Sequence, residues 1–273
     1  MAVRELVQPL RRLVPAGAVP LVARARYARV EHDAGRRERD IAAMRLLLGD
    51  SRPPDEIQEL ADKHAQYRLN SAERRWHAAL LCNQRVESIE ILADRDQSKA
   101  VVLTFMHHGY YAGLFGSLAA QGVVCDVVVD RMLVAPDAVP WMTQHIRVVS
   151  TGGTRVIDNT VGFQGLVDAV RPGVVLAIAC DMPGRTPIRF LDQSLRGSSA
   201  AARIAHLTGA AVVPLTTWRD GDGFRLRLEQ PLQPADFASA EDLLQAVLDV
   251  HEPAVAAAPD AVEDPHLRWG WPT

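Results

Sequence analysis

The feature that most constrains the fold of this chain is a change of hydrophobic period near residue 99. Before it, apolar residues recur at helical spacing; after it, short β-branched and apolar runs alternate with amphipathic stretches. Residues 100–106, 123–129, 146–149, 174–179, 188–191 and 211–217 read as strands, and 224–228, which alternates apolar and charged residues, reads as an edge strand. Helices are expected over about 110–121, 139–145, 159–170 and 198–207, with a late amphipathic one at 241–251. Such alternation predicts an α/β fold, a mostly parallel central sheet flanked by helices. Parallel strands need crossovers, and a crossover helix must bury its apolar stripe on the sheet.

The region before the switch is a helical N-terminal lead-in. Residues 36–48 are amphipathic and end at Gly49 and the Pro53-Pro54 pair. Residues 55–67 carry Ile57, Leu60 and Ala61 at helical spacing. Asn70 followed by Glu73 reads as a capping box ahead of a further helix over 76–92. The expected organisation is a helical region, 1–95, packed on an α/β core, 96–273, as one structural domain without repeats or low-complexity linkers. Within the first thirty residues Arg4, Arg11, Arg12, Arg24, Arg26 and Arg29 face only Glu5, while Val3, Leu6, Val7, Leu10, Leu13 and Val14 share a helical face. A basic amphipathic segment of this kind can lie on an anionic membrane surface or pack on the domain with its arginines solvated. Pro9, Pro15 and Pro20 prevent one long helix.

A net charge of -3 gives no reason to expect a nucleic-acid partner. Cys82, Cys125 and Cys180 are odd in number and widely spaced in apolar surroundings, which fits buried thiols in a reducing cytoplasm rather than a disulfide framework or zinc site. No charged segment followed by an unbroken apolar run opens the sequence, and no run approaches the roughly 18 apolar residues of a membrane span. The expectation is a cytoplasmic protein, at most peripheral on the inner face of the membrane.

Chemistry concentrates in Thr104-Phe105-Met106-His107-His108-Gly109-Tyr110-Tyr111-Ala112. Two histidines at the carboxyl end of a buried strand, followed by a glycine and a helix, occupy the usual ligand position of open α/β sheets. A histidine there can act as general base on a hydroxyl or amine. Adjacent strand residues point to opposite faces, so His107 and His108 are poorly placed to share a metal, and one of them can equally be a core residue. Neither GxGxxG nor GxxxxGK[ST] is present, so Gly152 and Gly153 do not make a nucleotide loop.

His-x-Gly after an apolar strand is similar to the signature of the lysophospholipid acyltransferase superfamily, in particular its lipid A late-acyltransferase branch, where the His is followed, after four intervening residues, by Asp or Glu. Asp181-Met182-Pro183-Gly184-Arg185, Phe190, Ser198 to Ala205, Thr208 to Pro214 and Pro265-His266-Leu267-Arg268-Trp269 resemble further family blocks in the same order. The resemblance covers most of the chain after about residue 30. It implies a glycerolipid acyltransferase-like fold and transfer of an acyl group from a CoA or carrier-protein thioester to a hydroxyl or amine. His107 would be the base and His108 a second candidate; no cofactor and no metal are implied. Acyl-CoA or an acyl or amino carrier protein would then be the partner.

The sequence departs from the family at the motif acid. Counting from His107 that position is Ala112, and from His108 it is Gly113. Asp126, Asp130, Asp158 and Asp181 sit near strand or helix ends as substitutes; Asp181 is the best placed because it follows directly on a buried strand, although it can also cap the next turn. Arg155, after the Thr151-Gly152-Gly153-Thr154 turn, falls where the family uses basic residues for a head group or phosphopantetheine, or is simply solvated. Arg185 and Arg196 give fainter signals. Tyr110, Tyr111 and Phe115 replace small polar and Trp positions, which narrows an acyl channel or fills core. With Gly109, Tyr110, Tyr111, Arg155 and Arg185 as binding residues, the leading expectation is an acyltransferase-like enzyme. The alternatives are a relative repurposed for a carrier-tethered small molecule in specialised-metabolite biosynthesis, or a non-catalytic subunit that serves a protein partner.

Overall fold

A computed structural model describes residues 8–49 and 52–270. Val3, Arg4, Glu5, Leu6 and Val7 of the expected basic helix lie outside the described residues. Its continuation is a 3-10 stretch, Gln8–Leu13, whose arginines turn inward. Arg12 donates to Gln144 Oε1 at 2.6 Å and lies over the Trp76 ring, and Arg11 pairs with Glu73. Leu10 and Leu13 stay exposed.

Three helices follow: α1 (Val19–Val30), α2 (Ala34–Leu48) and α3 (Pro54–Arg74). Helix α2 starts where Asp33 caps the Arg36 N–H and stops at Gly49, whose φ of +66° ends the helical path. The expected capping box at Asn70 and Glu73 is instead the last turn of α3. Asn70 donates to the Tyr110 hydroxyl, and Glu73 is buried under Arg26, so both side chains are committed to tertiary contacts. No single helix fills 76–92. That stretch holds a 3-10 turn, the two-residue strand β1 (Val86–Glu87) and a short helical turn, Glu90–Ala93.

The remaining strands are β2 (Val101–Phe105), β3 (Asp126–Val129), β4 (Arg155–Asp158), β5 (Val175–Ala179), the hairpin β6 (Pro183–Phe190) and β7 (Gln193–Gly197), β8 (Ala211–Asp220) and β9 (Gly223–Leu228). The main sheet has the order β1-β9-β8-β2-β5-β3-β4, parallel throughout except for the β8–β9 pair. Two sequence expectations are corrected. Residues 146–149 are the last turn of helix α5 (Pro140–Val149), with Gln144, His145, Val148 and Val149 buried at helical spacing; helix α4 (Leu114–Ala119) precedes it. The strand comes later, at β4. The 224–228 strand is not an edge, because β1 pairs beyond it.

Strand β2 alternates its side chains between two cores. Val101, Leu103 and Phe105 pack with Leu114, Phe115 and Leu118 of α4 on one face. Val102 and Met106 pack on the other with α6 (Gly162–Ala169), α7 (Ala200–Thr208), α8 (Ala240–Ala257) and the end of α2. The sheet is thus covered on both faces, and its central strands point their carboxyl ends at one rim. No described helix is long and apolar enough to cross a membrane.

Candidate active site

Register brings the site together. Phe105 of β2 is paired in parallel with Ala179 of β5. The second residue beyond each is His107 and Asp181, so two neighbouring strands deliver an imidazole and a carboxylate to the same height, with strands about 4.8 Å apart. Asp181 Oδ2 accepts the His107 backbone N–H at 2.7 Å, and Oδ1 lies 2.8 Å from His107 Nδ1. Asp181 is 1% exposed. Burial works to raise its pKa, but the adjoining His107 ring, the two hydrogen bonds and the Arg268 guanidinium outweigh it and hold the carboxyl at about 2. An ionised carboxylate only accepts, so in the neutral ring Nδ1 carries the proton and Nε2 the free lone pair. Nε2 makes no hydrogen bond among the described residues, and the ring retains 18% exposure.

The C-terminal segment closes over this end of the sheet. The Glu263 N–H donates to the His107 carbonyl at 2.8 Å and the Gly109 N–H to the Ala261 carbonyl at 2.9 Å, with His108 bridged to Val262 between them. Asp181 is held from the same segment, its carbonyl accepting from the Trp269 N–H at 3.0 Å. Gly109 has φ +62°, and a Cβ there would stand 2.4 Å from Thr217 Cγ2. Its role is to let the chain turn and pass close to β8, and its carbonyl accepts from the Tyr67 hydroxyl at 2.6 Å.

His108 points away from the dyad. It is buried, its Nε2 donates to the Ala258 carbonyl at 2.9 Å, and burial lowers its pKa so that it stays neutral. As a second base it is therefore corrected to a core histidine: its ring has no path to the atoms around His107. Tyr111 sits with His107, ring centroids 4.7 Å apart, and reaches His145 at 5.6 Å. Tyr110 faces the other way, against Phe224 at 4.9 Å, where it helps wall a cavity of about 760 Å³ on the far side of the loop. Phe115 is core, packed edge-on to Phe105.

Arg155 is not brought to this site. It opens β4 opposite Asp126, which is level with Leu176 and so with Val102. That is five register steps below His107, roughly 16 Å down the strands, and its guanidinium is paired with Asp126. Asp130 and Asp158 cap local turns through the Met132 and Thr160 N–H groups. Arg185 lies exposed on β6, four residues beyond Asp181, with no ion pair among the described residues.

Three residues beside the dyad have no counterpart among the sequence candidates. Arg75, 8% exposed at the end of α3, pairs with Glu263 at 3.0 Å and lies over the Trp141 ring. His145 on α5 is pushed down to about 3 by burial and by the Arg75 charge, and is neutral. Burial works to raise the Glu263 pKa, but Arg75 outweighs it and keeps the carboxylate ionised. Buried Arg75 Nε and His145 Nδ1 make no hydrogen bond among the described residues, and the Glu263 carboxylate faces the Tyr111 hydroxyl. A cavity of about 240 Å³ opens against Arg75 and Glu263.

The model of the bacterial lipid A biosynthesis acyltransferases matches residues 56–263 of this chain. The chain belongs to that family. No curated protein sequence matches it. Among solved structures, the 1-acyl-sn-glycerophosphate (LPA) acyltransferase PlsC from Thermotoga maritima is similar at 16% identity and a TM-score of 0.46, covering 93% of this chain and 97% of that one. Membership of the lipid A biosynthesis acyltransferase family makes the chain acyltransferase-like. Ala112, five residues after His107, is buried among Tyr67, Leu81 and Val148, and the carboxylate on the histidine is Asp181, just beyond β5.

Glu263 lies inside the matched span, beside the tail block already singled out, but nothing in its spacing ties it to a histidine 156 positions earlier, from 263 to 107. Arg75 carried a weaker signal still, one arginine among many.

Proposed function

We propose that the His107–Asp181 dyad is the general base of an acyl transfer from a CoA or carrier-protein thioester to a hydroxyl or amine. The observation that carries this reading is the double hold of Asp181 on His107, through the backbone N–H and through Nδ1, with Nε2 left unpartnered. In this reaction Nε2 takes the proton of the acceptor O–H or N–H as the oxygen or nitrogen attacks the thioester carbonyl. The tetrahedral intermediate collapses with cleavage of the C–S bond, and the departing sulfur receives the proton from the imidazolium. The products are one ester or amide and one free thiol. Asp181 stabilises the imidazolium without itself taking the proton.

The test is a mass-spectrometric screen of acyl-CoA and acyl-carrier thioesters against lipid, amine and hydroxyl acceptors, with wild type beside His107→Ala. Product that disappears with His107 supports the reading. No product from any donor, with the two proteins melting alike, sinks it in favour of a non-catalytic partner subunit.

A further inference from the structure

We propose that the 240 Å³ cavity beside the dyad is a binding site for a small zwitterion, an α-amino acid. Its carboxylate would meet Arg36 and Arg75, and its ammonium would meet Glu263 and Asp264.

The cavity shares a wall with the dyad. Glu263 lines it, and the backbone N–H of the same residue holds the His107 carbonyl. Its charged lining sorts into groups that satisfy one another and groups that do not. Arg68 is paired with Asp40 at 2.9 Å, and Arg26 is paired with Glu73. Arg75 and Glu263 pair at 3.0 Å through one nitrogen and one oxygen, so each keeps further polar atoms outside that pair. The Arg36 guanidinium and the Asp264 carboxylate line the same space and make no hydrogen bond or ion pair among the described residues. What remains after internal pairing is therefore two donors of positive character and two acceptors of negative character.

The matching ligand is one that answers all four. A phosphate or sulfate answers the two arginines and is repelled by the two carboxylates. An alkyl chain answers neither. A molecule with one carboxylate and one ammonium on adjacent atoms answers both halves, and a cavity below the usual 300–1,000 Å³ range of ligand pockets suits a ligand of that size. Its placement as the acyl acceptor rests on the acyl-transfer reading above; its binding does not.

Calorimetric titration of the full chain with the proteinogenic α-amino acids, and with propionate and ethylamine as half-ligands, tests the site. At least one amino acid is expected to bind saturably while neither half-ligand does at the same concentrations. Arg36→Gln and Asp264→Asn remove groups with no structural partner, so both variants should melt like wild type and bind about ten-fold or more weakly. The proposal is overturned if no amino acid binds, if a half-ligand binds as well, or if both variants bind like wild type. His107→Gln separates the two readings. Amino-acid binding in wild type and His107→Gln without acylation by either would sink the acyl transfer and leave the site standing. Acylation of hydroxyl lipids without amino-acid binding would do the reverse.

Discussion

Asp181→Asn is the substitution with the most determinate outcome. In the wild type one carboxylate oxygen accepts the His107 backbone N–H and the other accepts Nδ1–H. The backbone group can only donate, so in the variant the amide oxygen must face it; the opposite orientation would bury one N–H against another, at about 1–3 kcal/mol. The amide NH2 then faces Nδ1, which has to accept, and the ring proton moves to Nε2. The base is lost although no atom has left the site. A carboxylate-to-amide change that traps the wrong histidine tautomer lowers kcat on the order of 10⁴ in the serine protease triad, equal to about 5 kcal/mol of transition-state stabilisation. Stability should fall as well. The Asp181 pKa is depressed from 3.8 to about 2, so its contribution is present above pH 3.8 and lost as pH falls through about 2, and it amounts to about 2 kcal/mol at neutral pH. Long-range ¹⁵N–¹H spectra of the neutral His107 ring read the tautomer without any substrate, and thioester turnover reads the rate. A wild-type ring protonated at Nε2, or a variant turning over within ten-fold of wild type, would refute the reasoning.

Gly109→Ala should cost about 2–4 kcal/mol in urea unfolding, because the new methyl meets Thr217 Cγ2 at 2.4 Å on a φ of +62°; a smaller loss would mean that β8 yields there. Arg155→Ala should leave acyl transfer unchanged and shift stability by less than about 1 kcal/mol, since its ion pair is exposed and lies at the far end of the sheet. Unfolding free energy should fall steeply below pH 6.5: His251 and His145 have folded pKa values lowered to about 4 and about 3, so the unfolded chain binds more protons than the native one across that window. Those two alone would remove about 3 kcal/mol between pH 6.5 and 5, and a flat profile in urea titrations would show that they are not neutral in the fold.

The alternation of periods after residue 99 was enough to predict a mostly parallel, two-sided sheet, because a buried β-branched run such as Val174 to Ala179 has few other ways to fold. Where the period was misread, a residue was misplaced. Arg155, which the resemblance places among head-group or phosphopantetheine contacts, is a case in point. In fact the Thr151 to Thr154 turn follows α5 and precedes β4, so Arg155 begins a strand at the opposite end. Asn70 and Glu73 had the spacing of a helix start, but tertiary partners claimed both side chains and α3 ran through them. Asp181 was legible as an acid on the end of a buried strand. That it meets His107 depends on which strands are neighbours and in what register, and a sequence carries neither locally. Arg75, His145 and Glu263 come from three distant segments and were invisible for the same reason.

In the pattern that the sequence resembles, histidine and acid have four residues between them and are tied through little more than one turn of chain, so either can shift only with that turn. Here the tie runs across the sheet, from the end of β2 to the end of β5, and through strands whose side chains are buried on both faces. A carboxylate placed at Ala112 would stand in apolar core, against Leu81 and Val148 rather than beside the imidazole, and would carry the full penalty of an unpaired buried charge. Glu263 holds the His107 carbonyl and Trp269 holds the carbonyl of Asp181, so one short C-terminal segment clamps both members of the dyad. That segment also carries Arg268, whose charge helps keep Asp181 ionised, and Glu263, the carboxylate facing the adjoining cavity. Orientation of the base, ionisation of its partner and the polarity of the neighbouring pocket therefore depend on the same few residues, and a change in any of them should be felt in all three.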